Sequence, residues 1–245
     1  MAGFAGELPV KLKAERIFYA VMAALMVVSI FAGFAPTFFL KPVLGTPQML
    51  PITPLVALHG TIFSTWALLF VLQTWLVAGG RTDLHRRIGL VAFGLLPGMA
   101  VTGTLAAVYG AIRASGPPIV PPWSWMAVPL VSIPVYTALI GVALAKRRRP
   151  QAHKRLMFMA MVIMLGPAFG RMPPFHGPLG MVIIPALFAF AQVGWDYRAL
   201  RYVHPATLWG GGVVIFAQVL PFLIWKTDGW LAFAGWAVGL ASSGS

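Results

Sequence analysis

The sequence contains no cysteine, which removes disulfides, thiolate metal sites, iron–sulfur clusters and cysteine nucleophiles. It is also poor in charge: 9% of its 245 residues are charged, against about 25% in an ordinary soluble domain. Acids are scarcest, namely Glu7, Glu15, Asp83, Asp196 and Asp228. By sequence all five fall in tails or in gaps between apolar stretches. A carboxylate proton relay, a sodium site and an aspartyl intramembrane protease are therefore poorly supported. No H-E-x-x-H zinc motif or Ser/His/Asp constellation is present. The lysine nearest the last apolar stretch, Lys226, lies at its end beside Asp228, which argues against a retinal Schiff base.

What the chain has instead is apolar length. Hydrophobic residues make up 59% of it and the mean hydropathy is +0.85, which excludes a water-soluble globular enzyme. Crossing ~30 Å of hydrocarbon takes roughly 20 helical residues. Seven stretches qualify: Arg16 to Phe39, Pro54 to Gly79, Ile88 to Ile112, Trp123 to Ala145, Leu156 to Gly170, Leu179 to Trp195 and Thr207 to Trp225. The fifth is short unless it begins near His153. The residues after Trp225, through Trp230 and Trp236, read either as a further span or as an interfacial segment. The expected fold is all-α, a single polytopic membrane bundle of seven transmembrane helices.

A net charge of +13 would ordinarily raise nucleic acid as a partner. Its distribution argues otherwise. Alternate gaps hold 14 Lys and Arg on one side, among them Arg81, Arg86, Arg87, Lys146 to Arg149, Lys154, Arg155, Arg198 and Arg201. The other side holds Lys41, Arg113, Arg171 and Lys226. By the positive-inside rule this puts the N-terminus in the cytoplasm and the C-terminus outside, with lipid rather than nucleic acid as the partner. The first stretch is too long for a cleaved signal and reads as a retained anchor.

Local chemistry refines the helix starts. Thr53-Pro54 supplies an N-cap and a first-turn proline, and His176-Gly177-Pro178 opens the sixth stretch similarly. Gly94 and Gly98 stand at the small-xxx-small spacing that lets backbones approach closely in lipid. His59, Trp66 and Gln73 recur every seven residues and so share one helix face, expected to point inward where Trp and Gln find partners.

With no acid inside the apolar stretches, histidine carries most of the available chemistry. His59 and His176 fall on the outer side, while His85, His153 and His204 fall on the inner side. Two layers of imidazole supplied by different helices is the arrangement that holds two b-type haems stacked across a membrane. Arg86, Arg87, Lys154 and Arg155 flank the inner pair and are candidates for haem propionates or lipid phosphates. Arg171, at the outer end of the fifth stretch, is a candidate for a propionate, a lipid head group or a quinone oxygen. Gln192 and Gln218 either bridge helices or contact a quinone.

The run His59-Gly60…Trp66…Gln73…Leu84-His85-Arg86-Arg87-Ile88-Gly89, with His153-Lys154-Arg155-Leu156-Met157…Gly166-Pro167…Arg171, resembles a family of bacterial integral membrane proteins. The histidine layout is distantly similar to transmembrane di-haem cytochromes b of the ascorbate-reducible type. Those cytochromes place their ligands on four consecutive helices, whereas here the outer pair would come from the second and sixth. The resemblance implies a bacterial inner-membrane protein that binds haem b and moves electrons, with quinone or a membrane redox partner at one end. Two alternatives stand beside it. One is a cofactor-free accessory or assembly subunit that binds anionic lipid or partner helices; the other is a small-molecule transporter.

Overall fold

A computed structural model describes residues 10–46, 49–117, 120–173, 175, 177 and 179–243. Among these residues there is no strand. Seven long helices follow one another: α1 (Val10–Phe34), α2 (Pro54–Ala78), α3 (Thr82–Ile112), α4 (Ala127–Ala145), α5 (Pro150–Phe169), α6 (Ile184–Leu200) and α7 (Pro205–Ile224). A shorter helix, α8 (Asp228–Ser243), follows. A π-helical turn, Ala35–Phe39, extends α1, and another, Leu179–Ile183, leads into α6. Single helical turns lie at Lys41–Leu44 and Pro122–Trp125.

Six segments are long and apolar enough to cross a membrane: Leu12–Phe39, Pro54–Ala78, Thr82–Ile112, Pro122–Ala145, Leu179–Leu200 and Pro205–Ile224. The protein is a multi-pass integral membrane protein. α1 shows why lipid, not water, surrounds it. Tyr19, Ala23, Met26 and Ile30 face the bundle, while Ile17, Val21, Leu25 and Val28 are exposed on the opposite side. Both faces are apolar, and only hydrocarbon makes that outer stripe stable.

The fifth expected crossing differs in kind from the other six. α5 packs against α1, α4, α6 and α7, and Phe158, Met159, Ala160, Met161, Val162, Leu165 and Ala168 are almost completely buried along it. It begins at Pro150 rather than Leu156, so its first turns carry Gln151, His153, Lys154 and Arg155. That polar start is the reason it reads as short in the sequence. A helix wrapped by protein does not need a lipid-compatible surface.

The ends of the helices behave as their sequences dictate. The Thr53 side chain accepts a hydrogen bond from the Val56 N–H, as expected for a cap. Gly80 turns α2 into α3 at φ +78, a left-handed conformation that glycine adopts without a steric penalty. Arg113 reaches from the end of α3 to the Pro51 carbonyl and the Thr53 hydroxyl, tying the end of α3 to the start of α2.

The close backbone approaches fall elsewhere than expected. A Cβ at Gly94 would meet nothing within 4 Å, and one at Gly98 only Ile62 at 3.4 Å. By contrast a Cβ at Gly33 would lie 2.4 Å from the Ala168 carbonyl oxygen, and one at Gly166 would lie 2.9 Å from that of Met181. The close approaches to backbone therefore serve the enclosed helix α5, while on α3 it is Gly103 that admits a neighbour, with Ile133 2.8 Å from where its Cβ would lie. α8 stands apart from this core. Ala234 packs with Ala107, Ala111 and Met126 in a separate small cluster, and Trp230 donates its indole N–H to the Trp123 carbonyl at 2.9 Å.

Candidate functional site

Two polar clusters lie at the end of the bundle where the basic gaps converge. The first is centred on Asp196. The sequence placed every acid outside the helices, but α6 runs on to Leu200 and carries Asp196 inside, fully buried. Its carboxylate receives the Arg155 guanidinium through Nε at 2.9 and 3.1 Å and through Nη2 at 2.6 Å. Gln192 donates to Oδ1 at 3.0 Å, and the Thr207 hydroxyl donates to Oδ2 at 2.5 Å. The His204 backbone N–H adds a further bond at 3.1 Å. The other guanidinium nitrogen donates to the carbonyl and side-chain oxygens of Gln151. A buried charge is tolerated only when it is paired and its remaining positions are hydrogen-bonded, and here both partners meet that condition.

This network corrects the reading of Arg155 as a contact for lipid or propionate: its side chain is fully buried and committed to Asp196. Lys154 is likewise turned inward. Its ammonium pairs with Glu15 at 2.5 Å and lies 5.3 Å from the centroid of the Tyr19 ring. Glu15, read as a tail residue, belongs to α1. Arg86 and Arg87 are exposed at the start of α3, as a lipid-facing role requires.

Chain reversal between α6 and α7 places the last members of the network. Arg201 closes α6 in the left-handed region at φ 66, and His204 caps α7 by accepting the Ala206 N–H on Nδ1 at 3.0 Å. Accepting there requires a neutral imidazole. Burial and the neighbouring Arg155 charge hold His204 below its ordinary value, with Asp196 acting in the opposite sense.

The second cluster joins the inner histidines. The His85 and His153 rings meet with centroids 6.4 Å apart and planes at 79°. His153 Nδ1 lies 2.8 Å from the Ala143 carbonyl oxygen. A carbonyl only accepts, so Nδ1 carries the proton of that bond and Nε2 is the nitrogen left to face another partner. His85 Nδ1 and both polar atoms of the Gln73 amide are buried with no hydrogen-bond partner among the described residues. A Cβ at Gly89, one turn after His85, would touch only that amide, at 3.6 Å.

The outer candidates are described only in part. His176 lies outside the described residues. His59 packs on Phe63 with centroids 4.3 Å apart, and its Nδ1 has no partner among the described residues. Arg171 donates to the Pro167 carbonyl at 2.7 Å and sits 4.5 Å from the Phe34 ring centroid. On the face shared by His59, Trp66 and Gln73, Trp66 is buried beside Tyr136, with ring centroids 6.3 Å apart and its indole N–H toward the hydroxyl. Gln192 serves Asp196 within its own helix, and the Gln218 amide is buried without a partner among the described residues. No group of three or more His, Cys, Asp or Glu arranged to hold a metal occurs among the described residues.

The residues that sequence reasoning missed are Asp196, Thr207 and Gln151. The available signal was spacing: Gln192 stands four residues before Asp196, and Gln151 four before Arg155, so each polar pair shares a helix face. No protein-family model, curated protein or solved structure matches the chain, so the functional reading rests on these residues alone.

Proposed function

We propose that the chain crosses the bacterial inner membrane seven times, with α5 as the enclosed crossing and the basic end facing the cytoplasm, and that His85 and His153 form a ligand pair for one b-type haem. The protein then acts as an electron carrier that exchanges with quinone or a membrane redox partner. The observation supporting this is the approach of the two inner imidazoles. Two imidazoles ligating one metal through ~2 Å bonds put their ring centroids roughly 6 Å apart, and the separation here is 6.4 Å. The bond from His153 to Ala143 is the outer-shell contact that orients a ligating histidine. When bound, the group supplies one-electron chemistry, and the chain's part is to hold and orient it. The nearby cavity described below does not adjoin the pair, so a porphyrin enters only if the α3 and α5 side chains part.

The test is an absorbance spectrum of protein expressed with adequate haem. A Soret band and a reduced-minus-oxidised difference spectrum are expected, both lost in His85→Ala and in His153→Ala and both retained in His59→Ala. Protein without a Soret band overturns the reading. A second reading has its own support in the bond His153 already makes to α4: the pair is then a polar clasp in a cofactor-free accessory subunit. It predicts that the two alanine variants lower the yield of folded protein and change no absorbance.

A further inference from the structure

The basic end also holds an open cavity of about 630 Å³ between the end of α4 and the starts of α5 and α7. Its wall is apolar: Val142, Leu156, Pro205, Ala206 and Trp209 contribute most of the surface. Its rim is cationic, because Lys146 and Arg149 line it at the α4–α5 turn. Both are exposed, and Arg147 and Arg148 stand between them in the chain. Neither rim cation has an acidic partner among the described residues, whereas Lys154 and Arg155, a turn further on, are both neutralised inside the bundle. α5 and α7 both start at the cavity, so their N-terminal dipoles add to the positive field there.

We propose that this cavity binds an anionic phospholipid, with its phosphate between Lys146 and Arg149 and its first acyl methylenes along Val142, Leu156 and Trp209. Charge complementarity selects the anion. The wall selects the source: a free phosphate gains nothing from an apolar surface, whereas an acyl chain is matched to it. Trp209 is 75% exposed and Val142 46%, so the cavity opens sideways to where lipid chains lie as well as toward the aqueous boundary. Tryptophan at this level of a helix is an interfacial anchor. The site is independent of the histidine pair and would stand if that proposal failed.

The test places the full-length protein in phosphatidylcholine vesicles. A minor fraction of the lipid is brominated on the acyl chain, as phosphatidylglycerol in one arm and as phosphatidylcholine in the other. The quenched signal from the site is the part lost in Trp209→Phe. Each basic side chain at an anionic surface supports about a fivefold preference, so the phosphatidylglycerol arm is expected to quench Trp209 several-fold more than the phosphatidylcholine arm. The double variant Lys146→Gln/Arg149→Gln is expected to abolish that preference, with its helical circular dichroism unchanged. Equal quenching in the two arms, or a preference that survives the double variant, overturns the proposal. So does loss of the preference on adding inorganic phosphate at constant ionic strength, which would mark a soluble-anion site.

Discussion

Asp196 shares two oxygens among Arg155 from α5, Gln192 from its own helix, Thr207 from α7 and the His204 N–H from the intervening turn. Such a group is worth little as a mere attraction, because desolvating two charges offsets most of their Coulomb energy. Removing one partner is costly, since the other is left charged and buried. Arg155→Met and Asp196→Leu are each expected to destabilise the bundle by about 3–5 kcal/mol, and the double variant by less than either. Denaturant unfolding in mixed micelles measures this, and additive costs would show that the two residues do not act as a unit. The sequence hid this pair because Asp196 follows directly on Trp195, where the apolar stretch stops. The helix continues because an arginine 41 residues earlier meets the acid inside. A hydropathy window sees the charge and not its partner.

The helices themselves were legible, because apolar length alone decides which segments suit a bilayer. Their starts were less so. Ile88 and Leu156 mark where the apolar residues begin, while the backbones of α3 and α5 coil from Thr82 and Pro150. The basic first turns read as gaps. Glycine spacing misled in a similar way, because a small residue permits close approach without requiring it. Gly94→Ala is expected to be neutral or to stabilise by about 0.5–1 kcal/mol through helix propensity alone, since its surroundings are open. Gly33→Ala drives a Cβ into the backbone of α5 and is expected to cost about 1–3 kcal/mol as overpacking does. Paired thermal melts in one detergent compare them, and equal melting temperatures would mean that α1 and α5 can slide apart at no cost.

At the scale of the molecule, the main core is built by α1 to α7, with α8 outside it. Its fully buried residue is Ala234, and it rests on the end of α3 and on the Pro122–Trp125 turn. Ending the chain after Thr227 is therefore expected to leave a cooperatively folded bundle with a melting temperature lower by a few degrees at most. Circular dichroism and size-exclusion chromatography of the truncated protein check this, and an aggregated product would place α8 in the main core. The sequence left that segment between a span and an interfacial stretch. Its 16 residues, at 1.5 Å each, reach about 24 Å, less than ~30 Å of hydrocarbon. Of the site, the sequence supplied the inner histidines and their helices. For the acid it offered only the spacing from Gln192, because the other partners come from separate parts of the chain.

The enclosure of α5 also bears on how the protein is made. α5 emerges from the ribosome carrying His153, Lys154 and Arg155 on its first turns, before Asp196 and Thr207 have been synthesised. Until α6 and α7 follow, an arginine that ends fully buried lacks the carboxylate it is bonded to, and entering lipid alone would be costly. Insertion strictly one helix at a time is therefore not expected. The last third of the chain has to arrive before the middle can settle, so a nascent chain stopped between α5 and α6 is the form most exposed to membrane quality control.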